Sequence, residues 1–197
     1  FYRTAEAQQL YRPVGLTETD LGLQYADRDR IEEAFRDEFR KLSGILIEPC
    51  AEMAERRDDP RTWNRYGIRA AMLGRYQVAR RAFQTAAGRD RNAVDPLVNL
   101  GSVDFLQEDY SEALDAFQSA VDRIQGGARA SERTQLTAYL NLAKTAYRLE
   151  QYEQARVYYS QAERIDPQEA SGFACIGAGT AEGAARAAEA ASGPPIQ

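Results

Sequence analysis

The sequence repeats itself at an interval of 34 residues, and this internal repeat limits the possible folds more than any other feature. The second copy carries the same kind of residue as the first at seven positions: Trp63 and Leu97, Tyr66 and Leu100, Gly67 and Gly101, Tyr76 and Tyr110, Ala79 and Ala113, Phe83 and Phe117, and Ala86 and Ala120. A third copy follows after a wider interval of 42 residues: Tyr139, Leu142, Ala143, Tyr152, Ala155, Tyr159 and Ala162. Self-similarity at this period predicts a stack of small structural units that share one core.

Each copy has the apolar spacing of two short helices. In the first copy, apolar residues recur three or four positions apart in two groups: Trp63, Tyr66, Ala70 and Leu73, then Tyr76, Ala79, Phe83 and Ala86. This spacing predicts one apolar stripe on each helix. Gly74 lies between the groups, where a helix ends most easily. One such unit cannot bury both of its faces alone, so a stack of about three is expected.

These residues resemble the tetratricopeptide-repeat (TPR) family over residues 60–169. The third copy also ends on Asp166–Pro167, where a repeat of this family closes with proline. The resemblance implies an all-α fold, a right-handed superhelical stack of helix-turn-helix repeats. It also implies a concave face, lined by the first helix of each unit, that binds another polypeptide. Capping helices are predicted at the N- and C-terminal ends of the stack.

The sequence departs from the family pattern in its turns and connections. Glu108 and Glu150 stand where glycine is expected between the two helices of a unit. The closing proline is missing from the first two units, and eight extra residues around Gly126–Gly127 separate the second unit from the third. Ser131 is predicted to cap the first helix of the third unit.

Asp104 occupies a helix-facing position that is usually aromatic or small. A carboxylate packed between helices needs a partner, and Arg69 and Arg148 are the candidates. A structural role, as a satisfied or partly exposed acid, is favoured over a functional one.

The predicted organisation has seven segments. They are an N-terminal extension that is largely loop (1–26), N-terminal capping helices (27–59), the first repeat (60–93), the second repeat with the insertion (94–135), the third repeat (136–169), a C-terminal capping helix (170–190) and a disordered tail (191–197). Within 27–59, a helix over 27–42 is expected to break at Ser43–Gly44, and Pro49 opens a second helix through Arg57. A short strand before Pro49 is the alternative.

Charge and composition argue against several classes of function. The net charge of −5 and the absence of histidine disfavour nucleic-acid binding, histidine-based catalysis and metal binding. Cys50 and Cys175 are expected to be free thiols rather than a disulfide. No apolar run approaches the length of a membrane span. No enzymatic activity, cofactor or metal is therefore expected.

Two further patterns look functional but have simpler interpretations. Acidic residues alternate with basic ones at helical spacing: Glu32, Glu33, Asp37 and Glu38 with Arg30, Arg36 and Arg40. Such alternation is typical of a solvated, ion-paired helix face. Residues 176–183 contain several glycines but lack the preceding strand and the lysine of a phosphate-binding loop.

When the repeats are aligned with the family, the positions that line the concave face correspond to thirteen residues of this chain. They are Asn64, Arg65, Ile68, Met72, Val98, Asn99, Ser102, Phe105, Leu140, Asn141, Lys144, Tyr147 and Arg148. The mixture of apolar and basic side chains predicts a peptide with apolar anchors and an acidic side chain or C-terminal carboxylate. The alternative is that the protein's own N- or C-terminal segment fills the groove.

Some members of the family hold a C-terminal carboxylate with a clamp of Lys, Asn and Arg at fixed positions. Asn99 matches that clamp. Asn64 and Ile68 stand where Lys and Asn are needed, and Thr137 and Asn141 stand where Lys and Arg are needed. The resemblance does not extend to this clamp, so a role as a cochaperone for such peptide tails is not expected.

The predicted function is a non-catalytic scaffold for protein–protein interaction, and the family resemblance suggests a bacterial-type assembly or envelope complex. The alternative is an accessory or oligomerisation region of a larger multidomain enzyme. The opening at Phe1 predicts a mature chain or a piece of a longer protein. Self-association, and a location in the cytoplasm or in the periplasm and cell envelope, are left open by the sequence.

Overall fold

Helices make up most of the computed structural model, which describes residues 28–177 apart from the side chains of residues 28–40, 42, 43 and 175. In chain order the helices of this part are α1 (Arg28–Arg57), α2 (Pro60–Met72), α3 (Tyr76–Arg89), α4 (Asp95–Leu106), α5 (Tyr110–Gln125), α6 (Glu132–Arg148), α7 (Tyr152–Ile165), α8 (Pro167–Ser171) and α9 (Ala174–Gly177). Residues 28–177 contain no strand. The predicted all-α fold is confirmed.

The helices pack as three successive pairs, each of which is called a unit below. Helix α2 packs on α3, α4 on α5, and α6 on α7. Each second helix also contacts the first helix of the next unit, and the first helices α2, α4 and α6 contact one another in order. The stack therefore has a continuous core and one row of first helices. Helix α1 packs on α2 at one end, and α8 and α9 pack on α7 at the other.

The turn between the two helices of each unit has the same backbone geometry, although its central residue is glycine in the first unit and glutamate in the other two. Gly74, Glu108 and Glu150 all have a positive φ, at 72°, 66° and 61°. In all three units the residue after this position donates its backbone N–H to a carbonyl five residues earlier, at 2.8 Å for Arg75, 3.0 Å for Asp109 and 2.9 Å for Gln151. This bond is typical of a helix end with a left-handed residue. The packing of the two helices therefore sets the turn even where glycine is absent.

The connection between the first two units is held by a side chain from the unit that follows it. Arg123 of α5 donates hydrogen bonds to the carbonyls of Ala87, Asp90 and Ala93, at 3.2, 3.0 and 2.7 Å. These three bonds hold the end of α3 and the loop to α4 where the closing proline of the family is missing. The third unit does have its proline, and there Asp166 caps α8 by accepting bonds from the backbone N–H of Gln168 and Glu169.

Two predictions about single residues have clear outcomes. Ser131 is the N-cap of α6, and its side chain accepts the backbone N–H of Thr134 at 3.0 Å, as predicted. Cys50 is a free, half-buried thiol, also as predicted.

The prediction of a break at Ser43–Gly44 is wrong, and so is the alternative of a strand before Pro49. Helix α1 runs without interruption over 30 residues and includes Pro49. Proline removes one backbone hydrogen bond of a helix interior, but Ile47 and Ala54, on either side of it, are buried in the described structure. Tertiary packing therefore holds the helix together across a local weakness.

In the described part of the C-terminal capping helix predicted over 170–190, the structure has two short helices instead of one: α8 ends at Ser171 and α9 begins at Ala174. Ile176 is 4% exposed and joins the core, and the hydroxyl of Tyr159 donates to the carbonyl of Ala170 at 3.1 Å. The rest of the predicted helix, the predicted tail 191–197 and the predicted extension 1–26 lie outside the described residues.

Asp104 lies on α4 and is 2% exposed, so of the two structural forms predicted for it, satisfied or partly exposed, the partly exposed one is excluded. Its partner is neither Arg69 nor Arg148: Oδ1 of Asp104 lies 2.9 Å from Nε of Arg80, on the second helix of the first unit. The two atoms lack the alignment of a hydrogen bond, so the contact is an ion pair that joins the first and second units.

Burial raises the pKa of the Asp104 carboxyl from 3.8 to about 6. The guanidinium of Arg80 lowers the pKa, and the carboxylates of Asp109 and Glu112 raise it further. Because burial has the largest effect, the ion pair only partly offsets the cost of removing this charge from water.

In the first two units, close approach of the two helices depends on glycine at one position, which is Ala143 in the third unit. A Cβ atom at Gly67 would lie 2.5 Å from the ring of Phe83, and one at Gly101 would lie 2.7 Å from the ring of Phe117. Both rings are fully buried. Such distances are too short for carbon atoms, so any larger residue would force the helices apart.

We expect Gly101→Ala to lower the free energy of unfolding by roughly 1–3 kcal/mol, because the added methyl group meets the Phe117 ring in a closed core. Gly88→Ala is the matched control, since a Cβ there meets nothing within 4 Å on the exposed side of α3. That variant should gain roughly 0.5–1 kcal/mol from helix propensity. Urea unfolding measures both. Equal effects at the two positions would contradict the steric argument.

We expect the wild-type protein to lose stability as the pH rises from about 4 to about 6. The variant Asp104→Asn should not show this loss. In this range the unfolded chain ionises Asp104 while the folded chain keeps it protonated, so rising pH favours unfolding. A change in pKa from 3.8 to about 6 corresponds to roughly 3 kcal/mol.

Urea unfolding from about pH 4 to about pH 7 tests this expectation. The stability of the variant relative to wild type should rise through the window and then level off. Asp115→Asn, the same change at an exposed site, is the control. A difference between Asp104→Asn and wild type that stays constant with pH would show that Asp104 does not titrate in this range.

Candidate functional site

The first helices of the three units, α2, α4 and α6, carry the thirteen residues predicted for the concave face. Seven of them are buried: Asn64, Ile68, Val98, Asn99, Ser102, Leu140 and Asn141. Four are half-buried, namely Met72, Phe105, Lys144 and Tyr147, and two are exposed, namely Arg65 and Arg148. In this arrangement a ligand on the face would contact the six half-buried or exposed residues, whereas the seven buried residues pack between the helices.

Buried polar side chains connect the first helices to one another. Asn99 of α4 donates its side-chain N–H to Oδ1 of Asn64 on α2, at 3.0 Å. Asn141 of α6 donates to Oγ of Ser102 on α4, at 3.5 Å. Because Asn99 is fully buried, its amide serves contact between units rather than contact with a ligand. These links fix the spacing and register of the first helices below the surface.

The half-buried aromatic residues repeat one contact in the second and third units. The rings of Phe105 and Tyr110 meet edge to face with centroids 5.2 Å apart, and those of Tyr147 and Tyr152 do the same at 5.2 Å. Each pair joins the end of a first helix to the first residue of the following second helix. Edge-to-face pairs add to the stabilisation from burial, so the two rings are held in fixed positions at the turn side of the face.

Lys144 is the cation with the most defined surroundings on this face. Its Nζ atom lies 3.8 Å from the centre of the Phe173 ring and 3.4 Å from Oδ1 of Asn141. A cation over an aromatic face is attracted by the ring quadrupole. Phe173 precedes α9, so residues that follow the third unit reach the face.

Sequence reasoning missed Phe173 as a residue of this face. Phe173 follows Tyr139 by 34 residues, the interval of the repeat, and this spacing was the available signal. The spacing could not show which side chain Phe173 contacts.

A small crevice opens between α4 and α6 beside Lys144. Its volume is about 10 Å³, and it is lined by Ser102, Phe105, Phe117, Asn141 and Lys144. This is about the space of one water molecule. The face therefore has no pocket at this point that would enclose a drug-sized molecule, and a ligand would lie along it instead.

Among the residues whose side chains the structure describes, no group of three His, Cys, Asp or Glu is arranged to hold a metal ion. Over the same residues no helix combines the length and the apolar character needed to cross a bilayer.

Comparison with known proteins agrees with the repeat architecture. A family model described as tetratricopeptide repeat matches residues 92–168. No curated protein sequence matches the chain. Among solved structures, MamA has a TM-score of 0.56 at 19% identity, and the match covers 83% of this chain and 91% of that one. MamA of Desulfovibrio magneticus RS-1, residues 41 to the end, has a TM-score of 0.51 at 24% identity and coverage of 67% and 76%.

YrrB, described as a TPR protein with an unusual peptide-binding site, has a TM-score of 0.54 at 19% identity. The match covers 66% of this chain and 65% of YrrB, which is just under two thirds of that protein's length. Likenesses at these identities concern the fold. The family match, the three helix pairs and the fold shared with YrrB and MamA lead to one conclusion: residues 92–168 match the tetratricopeptide repeat, and the chain has the fold of tetratricopeptide-repeat proteins.

Proposed function

We propose that this chain is a scaffold for protein–protein interaction that binds a peptide, or an extended segment of a partner protein, along the row of first helices. The observation that carries the proposal is the arrangement of accessible side chains on α2, α4 and α6. Cationic groups (Arg65, Lys144 and Arg148) and partly exposed apolar groups (Met72, Phe105 and Tyr147) lie on one row of helices that contact each other in order.

The dimensions of the row suit a short extended peptide. Neighbouring packed helices lie about 10 Å apart, so three of them span roughly 20 Å. At about 3.3 Å per residue, this distance accommodates roughly six residues of extended chain. A rigid row of this kind costs little ordering on the protein side, because the buried links between α2, α4 and α6 already hold it in place.

The chemistry of the accessible side chains favours an acidic ligand with apolar anchors. Arg65 and Arg148 are exposed at the two ends of the row, and guanidinium groups bind carboxylates with two parallel hydrogen bonds. Phe105 on α4 and Tyr147 on α6 supply aromatic surface, the residue type that dominates binding energy at interfaces. The peptide-binding site of YrrB, a protein with the same fold, is consistent with such a use of the stack.

The double variant Arg65→Glu with Arg148→Glu tests the proposal. We expect it to lose capture of partners in a pull-down with quantitative mass spectrometry by about tenfold or more, because like charges would face an acidic ligand. The aromatic residues are poorer targets, since Phe105 and Tyr147 also pack on Tyr110 and Tyr152 and their removal would disturb the turns.

The matched control is Arg81→Glu with Arg164→Glu, which makes the same charge change on exposed positions of the second helices α3 and α7. This control should capture the same proteins as wild type. If the two double variants lose the same proteins to the same extent, the row of first helices is not the binding surface.

A further inference from the structure

Helix α1 carries an apolar stripe on a side that α2 does not cover. The residues whose side chains the structure describes include four exposed large apolar ones, and three of these, Ile45, Leu46 and Met53, lie on α1. They are 72%, 37% and 47% exposed. Pro49, which lies one turn from both Leu46 and Met53, is exposed as well. Apolar side chains gathered on one exposed helix face indicate a surface that another chain covers.

The stripe has the spacing of a coiled-coil seam. Apolar residues alternate at intervals of four and three along α1: Phe35, Phe39, Leu42, Leu46, Pro49 and Met53. The backbone of α1 is a single helix over all six positions. Intervals of three and four residues keep the apolar positions on one side of a helix, and two long helices pack along each other through such a seam. The spacing therefore favours another long helix as the occupant of the stripe.

Helix α2 leaves room for such a helix. Ile47 is buried in the core that includes Ile68 of α2, and Ala54 is also buried. Each of these two residues directly follows a residue of the stripe, so the stripe lies about 100° around the helix from the side that faces α2. Two helices that each pack about 10 Å from α1 at this angle are about 15 Å apart. A second helix can therefore lie on the stripe without displacing α2.

The charges beside the stripe favour a second copy of the same helix in parallel orientation. Glu52 and Arg57 are exposed and lie on opposite flanks of the seam. In a parallel pair, a residue on the flank of Glu52 faces the residue five positions later on the other helix, so Glu52 of each copy meets Arg57 of the other. An antiparallel pair with full overlap of the six apolar positions would place Arg57 beside Arg36 instead, and like charges repel.

We propose that α1 joins two copies of this chain as a parallel helix pair, in which Leu46, Pro49 and Met53 of one copy contact the same residues of the other. A twofold axis between the two helices places the two repeat stacks on opposite sides of the pair. The contact uses none of the thirteen residues predicted for the concave face. The pair would therefore present two rows of first helices, and the inference does not depend on the proposed peptide binding.

Size-exclusion chromatography of the whole chain with light scattering tests the pairing. Wild type at micromolar concentration should have twice the chain mass of 22.0 kDa. Met53→Glu should weaken the pairing by about tenfold or more, because two glutamates would then face each other in an apolar seam. The matched control is Val157→Glu, which makes the same kind of change at a 56% exposed apolar residue of α7. This control should keep the wild-type mass.

A charge exchange tests the parallel orientation and does not alter the apolar stripe. Glu52→Arg should weaken the pairing by roughly threefold to tenfold, because two arginines would then meet on each flank. Adding Arg57→Glu to this variant should restore the wild-type affinity, since opposite charges meet again. Both residues are exposed, so the exchange is informative even if Met53→Glu melts well below wild type in a thermal scan.

Three outcomes would contradict the proposal. A wild-type chain that keeps a mass of 22.0 kDa even at millimolar concentration would overturn it, and the stripe would then be left to residues 1–27 of the chain or to a different protein. Pairing that persists in Met53→Glu would show that the copies meet through another surface. Pairing without rescue by the charge exchange would exclude the parallel orientation. The Arg65 and Arg148 variant should keep the wild-type mass, so the proposed peptide binding and the pairing can fail separately.

Discussion

The close contact between a glycine of one helix and a phenyl ring of the next is the constraint on which the rest of the structure depends. Gly67 lies against Phe83 and Gly101 lies against Phe117, with no room for a side-chain atom between them. This contact sets the distance between the two helices of a unit. It does so in the first two units, whereas the third unit has Ala143 at the matching position. A Cβ atom at Gly177 would also be too close to the Tyr159 ring, so the short helix α9 packs on α7 of the third unit through a contact of the same kind.

Coupling between units depends on a second set of interactions, and these are polar. Asn99 bonds to Asn64, Asn141 contacts Ser102, and Asp104 pairs with Arg80. Each link joins side chains of neighbouring units in a nearly dry environment, where an unpaired polar group would be costly. Polar links add less net stability than apolar packing, but they require a particular register. They therefore complement the apolar core by fixing the position of each unit relative to the next. The relative positions of the accessible side chains on the first helices follow from this.

The accessible side chains on this rigid row of helices differ in chemical type from one unit to the next. Its two exposed arginines are at opposite ends of the row, its aromatic residues are held at the turns, and Lys144 is positioned by a ring that belongs to residues after the third unit. Three units of similar backbone thus present three different surfaces. In a repeat protein the shared positions maintain the stack, while the positions that vary between units are available for recognition. Lys144, where the other units have Ile68 and Ser102, is the clearest example.

The sequence by itself determined the repeat, its helix pairs and the cap at Ser131, because these depend on local spacing and on backbone chemistry. It could not determine that α1 is continuous through Pro49, since packing of Ile47 and Ala54 outweighs a local preference. It also assigned thirteen residues to the concave face, but only the tertiary structure showed that seven of them are buried between helices. Register specifies which residues share a helix face, whereas the approach of the neighbouring helix decides how deep each one lies. The pairing of Asp104 with Arg80 and of Lys144 with Phe173 joins residues distant in the chain, and only the packing of whole units brings them together.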